Sequence, residues 1–288
     1  MRTNKLIIAI LSVTVLFSAC KKKEGCTDPK AINYDADAKK DDGTCVYEST
    51  TTPDPHHTHL IINFNHSYDG FPVTSGVFGP IMFVNQTGSL HSIEKLQYLV
   101  SDFTLYKSNG DSVVINDYQL VDLSVDSTLT YVSPTHIEEG NYTGFSFKFG
   151  FDTNDNVDGA YTDLNAASWS WPMMLGGGYH FMKFEGRFIR TVGDTVGYQM
   201  HMGTAREITT NNDTIYHDNH FRVDLSNNSF NVEGNVFIEV DMNLAEWFKN
   251  PNAWDLNTYY SSLMPNYTAQ VMMNQNGRDV FTVTKITP

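Results

Sequence analysis

Three histidines supply the side-chain type best suited to hold a transition-metal ion: His66, His180 and His201. Neutral imidazole is a good ligand for copper, zinc and nickel. His180 stands in the motif Gly-Tyr-His-Phe and His201 in the motif Tyr-Gln-Met-His-Met-Gly, while His66 ends an earlier strand-like run. Taken alone, such distant histidines are more often core residues that make hydrogen bonds than metal ligands.

Strands must position these side chains, because the hydrophobic pattern of the chain has a period of two. Residues on one face of a strand recur at every second position, and several segments follow that rule. They are Leu60, Ile62, Phe64 and His66; Phe145, Phe147, Phe149 and Phe151; Phe221, Val223 and Leu225; and Val236, Ile238 and Val240. We therefore predict an all-β fold, an antiparallel β-sandwich or an open barrel.

One short helix is expected at Leu244 to Phe248, with Asn243 as its N-cap and Pro251 soon after its end. Residues 92–99 have helical spacing, but their continuation favours a strand. Asn109-Gly110 and Asn276-Gly277 are typical of two-residue hairpin turns. Gly176-Gly177-Gly178 lacks the lysine and the helix of a phosphate-binding loop.

The amino terminus predicts export and lipidation. Arg2 and Lys5 precede an apolar run that ends in Ser18-Ala19-Cys20, the pattern of a signal peptide with a lipobox. Cys20 is expected to carry the lipid, so we predict a lipoprotein anchored outside the cytoplasm, in the periplasm or on the cell surface, at the outer membrane. Ordinary secretion or an uncleaved anchor is the alternative.

The chain contains 3 cysteines. With Cys20 lipidated, Cys26 and Cys45 form a pair that we expect to be a disulfide in an oxidising compartment. No thiolate then remains for a zinc site, a blue-copper site or a cysteine nucleophile. A metal site would need imidazole, thioether, carboxylate or backbone oxygen.

Four regions follow: a signal peptide at 1–19, a cysteine-bounded acidic module at 20–47, a linker at 48–57 and the main domain at 58–288. The module resembles an acidic repeat of bacterial surface proteins. Its carboxylates could gather around calcium, but we favour a solvated, disulfide-stapled spacer. His56, His57 and His59 form a tract that would hold a metal only loosely.

A second candidate for calcium lies at residues 152–159, where aspartates and asparagines alternate before Gly159. The bidentate glutamate of a calcium loop is missing, because Asn165 occupies its place. We interpret the segment as a turn stabilised by Asp and Asn side chains.

Charge and motifs exclude other classes. The net charge of -14 argues against nucleic acid as a partner. The sequence has no nucleophile elbow and no His-Glu-x-x-His run, so we do not expect an enzyme.

The main domain, from about residue 57 to 284, resembles the methanobactin-operon copper-binding family, often called MbnP-like. The shared motifs are spread along the domain in a specific order. They are Phe64-Asn65-His66 with Asp69-Gly70; Leu96 to Asp102; Gly140 to Phe145 leading to Gly150-Phe151-Asp152; Asp163-Leu164; Trp169-Ser170-Trp171; Gly178 to Phe181 with Glu185-Gly186; and His201-Met202-Gly203.

That resemblance implies an exported all-β module that binds copper and works with a dihaem cytochrome c peroxidase-like partner. It implies His66 and His201 as copper ligands; His180 is the third candidate and His91 a weaker one. Some family members carry a tryptophan oxidised to kynurenine. No indole closely follows His66 here, so we make no such prediction for Trp169 or Trp171.

Two function classes stay open beside the disfavoured enzyme. The first is a copper-handling lipoprotein, and the second is a surface lipoprotein that binds a peptide or small ligand without a metal. The hypothesis that His66 and His201 bind one copper ion has a clear geometric condition: their rings must meet on one side of the sheet.

Overall fold

Two β-sheets that pack face to face form the main part of the structure. The computed structural model describes residues 23–29, 34–41 and 58–287, and the chain divides into two compact units at residues 1–54 and 55–288. The strands of the second unit are β1 Leu60–Tyr68, β2 Phe71–Pro72, β3 Phe83–Val84, β4 Leu90–His91, β5 Lys95–Lys107, β6 Ser112–Asp122, β7 Thr130–Val132, β8 Gly140–Phe149, β9 Met182–Ile189, β10 Thr195–Met202, β11 Ala205–Ile208, β12 Thr214–His217, β13 Phe221–Leu225, β14 Phe230–Val232, β15 Val236–Asn243 and β16 Phe281–Thr287.

The large sheet has nine strands in the order β13-β8-β5-β9-β4-β3, with β6 beside β5, β10 beside β9 and β14 beside β8. The small sheet has five strands, in the order β16-β15-β1-β2 with β7 also beside β1. Strands β11 and β12 form a separate hairpin. The all-β prediction is confirmed, and the sheets are mainly antiparallel.

One strand pair departs from the antiparallel prediction. β1 and β15 run parallel, with Leu60 opposite Val236 and His66 opposite Met242. Parallel neighbours need a long crossover connection, and here most of the domain lies between the two strands. The alternating pattern of each strand was readable from the sequence, but the pairing of these two distant strands was not.

The core lies between the two sheets and is rich in aromatic rings. Phe64 of the small sheet contacts Tyr98 and Phe147 of the large sheet at ring-centroid distances of 6.1 and 6.0 Å. Phe281 contacts Phe147 at 5.2 Å from the small sheet. All four rings are buried, so the apolar faces identified by period two are those that meet.

The helices are the part of the fold that the sequence predicted least well. Residues Leu244–Phe248 form a 3-10 helix, and the side chain of Asn243 caps it by accepting a hydrogen bond from the Ala245 N–H at 3.2 Å. Two α-helices are also present, α1 at Thr162–Ala166 and α2 at Tyr267–Gly277. The sequence predicted neither of them.

The prediction of a hairpin turn at Asn276-Gly277 is wrong, because both residues belong to the end of α2. This helix buries Gln270 and Asn276 as well as Ala269 and Met273. Buried amides on its inner face hide the apolar period that would have revealed the helix. Asn109-Gly110, by contrast, lies in the hairpin between β5 and β6 as predicted, but the connection spans residues 108–111 and is longer than the two-residue turn that was expected.

The first unit is described at residues 23–29 and 34–41. Cys26 is buried, whereas Cys20 and Cys45 lie outside the described residues, so lipidation and the disulfide both stay predictions. Glu24 and Lys40 form a parallel bridge and an ion pair of 2.6 Å. Within residues 23–29, 34–41 and 58–287, no helix is long and apolar enough to cross a membrane.

Candidate functional site

His180 and His201 lie side by side at the end of β10. Their ring centroids are 5.4 Å apart, and the ring planes are nearly perpendicular at 80°. The Phe181 N–H donates to the Met202 carbonyl at 2.7 Å, which holds the segment after His180 against the end of β10. The structure therefore brings these two predicted site residues together.

Each imidazole has one nitrogen held by an oxygen acceptor. Nδ1 of His180 lies 3.0 Å from the carbonyl oxygen of Trp169, and Nε2 of His201 lies 2.8 Å from Oε1 of Glu185. Metal-binding histidines commonly show this arrangement, since a carbonyl or carboxylate fixes the ring and leaves the opposite nitrogen as the ligand. The donor set of this pair fits a transition-metal ion.

Electrostatics favour a neutral imidazole at His180. Burial lowers its pKa to about 3, and the nearby Lys183 ammonium acts in the same direction. Glu185 stays ionised, because the hydrogen bond from His201 lowers its pKa. The site thus combines an unprotonated ring with a carboxylate next to the second ring.

Two buried tryptophans form the wall beside His180. The Trp171 ring lies 4.9 Å from the His180 ring and the Trp169 ring lies 5.6 Å from it. Lys183 places its ammonium 4.5 Å from the centre of the Trp169 ring and donates to the Ser168 carbonyl at 3.0 Å. The tryptophan contacts fix the ring of His180 on its inner side.

Glycine is required where Trp171 packs on the strand end. A Cβ atom at Gly203 would lie 2.6 Å from the Trp171 indole, so the ring rests directly on the backbone. Helix α2 supports the same place: Gln270 donates from Nε2 to the His201 carbonyl at 2.8 Å and accepts from the Gly203 N–H at 3.3 Å. The unpredicted helix therefore helps to position His201.

His66 does not join this pair. Its Nε2 lies 3.0 Å from the Tyr98 hydroxyl, and burial lowers its pKa to about 4. Tyr98 stands opposite Met182 in the sheet, and Met182 stands opposite Met202. Cross-strand partners share a face, so His66 meets the inner face, whereas His201 projects with Lys183 from the outer face. The structure thus contradicts the hypothesis that His66 and His201 share an ion.

His91 also lies on the inner side. It is fully buried among aromatic rings, with Phe248 at 4.9 Å and Tyr68 at 5.4 Å. Within the described residues its Nε2 has no hydrogen-bond partner. Met200 and Met202 are fully buried in the core, as the alternation of the strand predicts.

The oxygen-rich segment at 152–159 is a turn that supports the site. The Asp152 carboxylate accepts from the Asn154 N–H at 2.8 Å and pairs with the Lys148 ammonium, which also contacts Asp102. Asn156 accepts from the Tyr179 N–H at 2.9 Å, next to His180. This confirms the interpretation as a turn.

In the described ranges, one group of three or more histidine, cysteine or acidic side chains is close enough to share an ion. It consists of Asp102, Asp152 and Asp155. The Lys148 ammonium pairs with two of these carboxylates, Asp102 and Asp152, so one positive charge already lies beside the group. Calcium at this segment stays a prediction.

Sequence reasoning missed Glu185 as part of the site. Its motif Glu185-Gly186 was among those that carry the family resemblance, but nothing in the linear order placed its carboxylate beside His201. Their contact is diagonal across two strands, because His201 stands opposite Lys183 and Glu185 opposite Gln199. Only the strand register reveals it.

Comparison with known proteins decides the family. A profile of the MbnP family matches residues 57–272. The chain belongs to the MbnP family. The structure of MbnP from Methylosinus trichosporium is similar, with a TM-score of 0.55 and 16% identity over 78% of this chain and 98% of that protein. At this identity the likeness shows the shared MbnP fold and not a shared chemistry.

One curated relative matches over a short stretch. Ribulose bisphosphate carboxylase/oxygenase activase 1 of Larrea tridentata, a chloroplast protein, is 68% identical over 25 residues. The match spans 9% of this chain and 5% of the relative, so it carries no argument about the function of this MbnP-family protein.

Proposed function

We propose that this MbnP-family chain is an exported, lipid-anchored protein that handles copper, and that His180 and His201 are its copper ligands. The observation that carries the proposal is the pair of adjacent rings, each with one nitrogen fixed by an oxygen acceptor. Family membership supports copper as the metal. The proposal is one of binding and not of catalysis.

Copper suits this donor set on chemical grounds. Imidazole binds both Cu(I) and Cu(II), and both proposed ligands are imidazoles. The wall formed by Trp169 and Trp171 keeps water from the inner side of His180, since both indoles are buried. His66 has a structural role instead, as the hydrogen-bond partner of Tyr98.

The decisive experiment is an anaerobic Cu(I) competition titration of the full chain with a chromophoric chelator. We expect His180→Ala and His201→Ala each to abolish tight binding of one copper equivalent. Gln199→Ala is the matched control, because Gln199 lies on the same strand and face as His201. Retention of that equivalent in both histidine variants, or its loss in His66→Ala alone, would overturn the assignment.

Glu185→Gln tests the orientation of His201. The amide keeps an acceptor near Nε2 but removes the charge. We expect copper binding to weaken roughly 10- to 100-fold, the usual effect of losing a group that orients a ligand. Unchanged affinity in the same titration would show that Glu185 does not act through His201.

The anchor and the partner rest on sequence and family alone. Incorporation of labelled fatty acid into the full chain, lost in Cys20→Ser, tests lipidation at Cys20. The proposed partner is a dihaem cytochrome c peroxidase-like protein, as the family resemblance implies. Calorimetric titration of that purified protein with the full chain tests the interaction, and absence of binding in both copper-free and copper-loaded chain would refute it.

A second candidate function has a specific observation in its favour. A cavity of about 510 Å³ adjoins His66 and is lined by Asn65, Ser67, Thr74 and Asp241 among others. It lies where β1 has neither β7 nor β2 beside it, and apolar side chains, among them Phe64, Leu123 and Leu129, line it together with the polar ones. Equal, substoichiometric copper in the wild type and all histidine variants would favour this small-ligand function over copper.

A further inference from the structure

A second pair of imidazoles lies at the start of the domain. His59 directly precedes β1, and His136 belongs to the loop after β7. Their ring centroids are 4.8 Å apart with an interplanar angle of 63°. The two residues are distant in sequence, so the fold and not the local chain brings them together.

The backbone under both rings is firmly held. The Ser133 N–H donates to the Leu60 carbonyl at 2.8 Å, and the Ile137 N–H donates to the Thr58 carbonyl at 2.8 Å. The Leu60 N–H donates to the Ser133 hydroxyl oxygen at 3.0 Å. These bonds join the two segments on either side of the rings, so the backbone beneath the rings has little conformational freedom left to lose on binding.

The tautomer of His59 is fixed by its surroundings. Nδ1 lies 2.8 Å from the Ser133 carbonyl oxygen, which can only accept a hydrogen bond. Nδ1 must therefore donate this hydrogen bond, and Nε2 is the nitrogen left to bind a metal ion. Metal-binding histidines are commonly oriented by a backbone carbonyl in this way.

We propose that His59 and His136 form a surface site for a divalent transition-metal ion of the imidazole-binding class, such as Zn²⁺, Ni²⁺ or Cu²⁺. Two imidazoles select this class over calcium and magnesium, which take oxygen ligands. Water completes the coordination. The site is separate from His180 and His201, and it stands whether or not those residues bind copper.

This arrangement gives His59 a different partner from those that the histidine tract of the sequence suggests. His56 and His57 lie outside the described residues and are not part of the proposed site. The tract hypothesis joins His59 to those two neighbours in sequence, whereas the fold joins it to His136. The two explanations make opposite predictions about His136.

Calorimetric titration of the full chain with Zn²⁺ alone tests the site, in a His180→Ala/His201→Ala background that removes the other imidazole pair. We expect one Zn²⁺ equivalent, weakened at least about tenfold by His136→Ala, since even the loss of a group that only orients a ligand costs about 10- to 100-fold. His59→Gln should act in the same direction. The double variant His217→Ala/His220→Ala is the matched control and should leave Zn²⁺ binding unchanged.

Two results would overturn the proposal. The first is equal affinity and stoichiometry in the background chain with and without His136→Ala. The second is loss of Zn²⁺ binding only when His56 and His57 are replaced, which would assign the metal to the tract. Circular dichroism of each variant confirms that the fold persists.

Discussion

The two faces of the large sheet at β9 and β10 give neighbouring residues opposite roles. On the inner face, Met182 and Met202 are fully buried against Tyr98 and the small sheet. On the outer face, Lys183 and His201 are polar and partly exposed. One step along a strand thus separates a dry aromatic core from a charged surface where a ligand can enter.

The same contrast explains the different chemistry of two histidines. His66 lies in the core, where a tyrosine hydroxyl is its partner and burial lowers its pKa, which keeps it neutral. His201 lies on the outer face, where a carboxylate is its partner. A shared residue type therefore does not imply a shared site, and the face of the sheet decides which ring can meet a metal.

The largest expected effect comes from comparing two adjacent residues of β9, one on each face of the sheet. Met182→Ala should lower the free energy of unfolding by about 2–5 kcal/mol, because it leaves a cavity in the core. Lys183→Ala should cost about 1 kcal/mol or less, because it removes only a partly exposed cation–π contact and one hydrogen bond. Urea unfolding measures both, and equal losses would contradict the division between the faces.

Acid should destabilise the core through its histidines. The pKa values of His66 and His91 are lowered to about 4 by burial, below the value of 6.5 for the unfolded chain. Between these values the unfolded chain binds more protons, so stability falls as pH falls from about 6.5 towards 4. The slope is about 1.4 kcal/mol per pH unit for each histidine.

Urea unfolding at several pH values between 4 and 7, roughly the window set by these pKa values, measures that slope. His66→Gln should reduce this slope by about 1.4 kcal/mol per pH unit, the contribution of one proton, whatever the variant does to stability at neutral pH. A slope identical in wild type and His66→Gln would show that His66 titrates normally in the folded chain.

Tyr98→Phe tests the hydrogen bond that holds His66 in the core. The variant leaves Nε2 of a buried imidazole without its partner, which should cost about 1–3 kcal/mol. Tyr118→Phe is the matched control, because the Tyr118 hydroxyl bonds to Asp163 at the exposed surface. Thermal unfolding measures the stability of both variants. A Tyr98→Phe variant as stable as the wild type would mean that water replaces the hydroxyl.

The strands were predictable because burial on one face leaves a local period. The run from Leu60 to His66 and the phenylalanines of β8 show it directly. Helix α2 was not predictable in that way, because buried Gln270 and Asn276 interrupt its apolar face. Local patterns reveal a segment only when its buried side chains are apolar.

The site was predictable in its residue types but not in its pairing. His180 and His201 were both candidates, yet the sequence favoured His66 as the partner of His201. A hydrophobic period of two shows which residues of one strand share a face. It does not show which faces of different strands lie together in the fold. Glu185 became visible only with the register of β9 and β10.

The smallest expected effect concerns Lys95, which lies 3.7 Å from the Glu185 carboxylate on the outer face. Its side chain is 44% exposed, so water and salt screen the ion pair. Lys95→Ala should therefore change stability by about 0.5 kcal/mol or less. A double-mutant cycle with Glu185→Gln should give a coupling energy of about 0.2–1 kcal/mol that declines with added salt. A coupling that is larger and insensitive to salt would mean that Glu185 behaves as a buried charge, and the outer face at His201 would then resemble the core more than its exposure suggests.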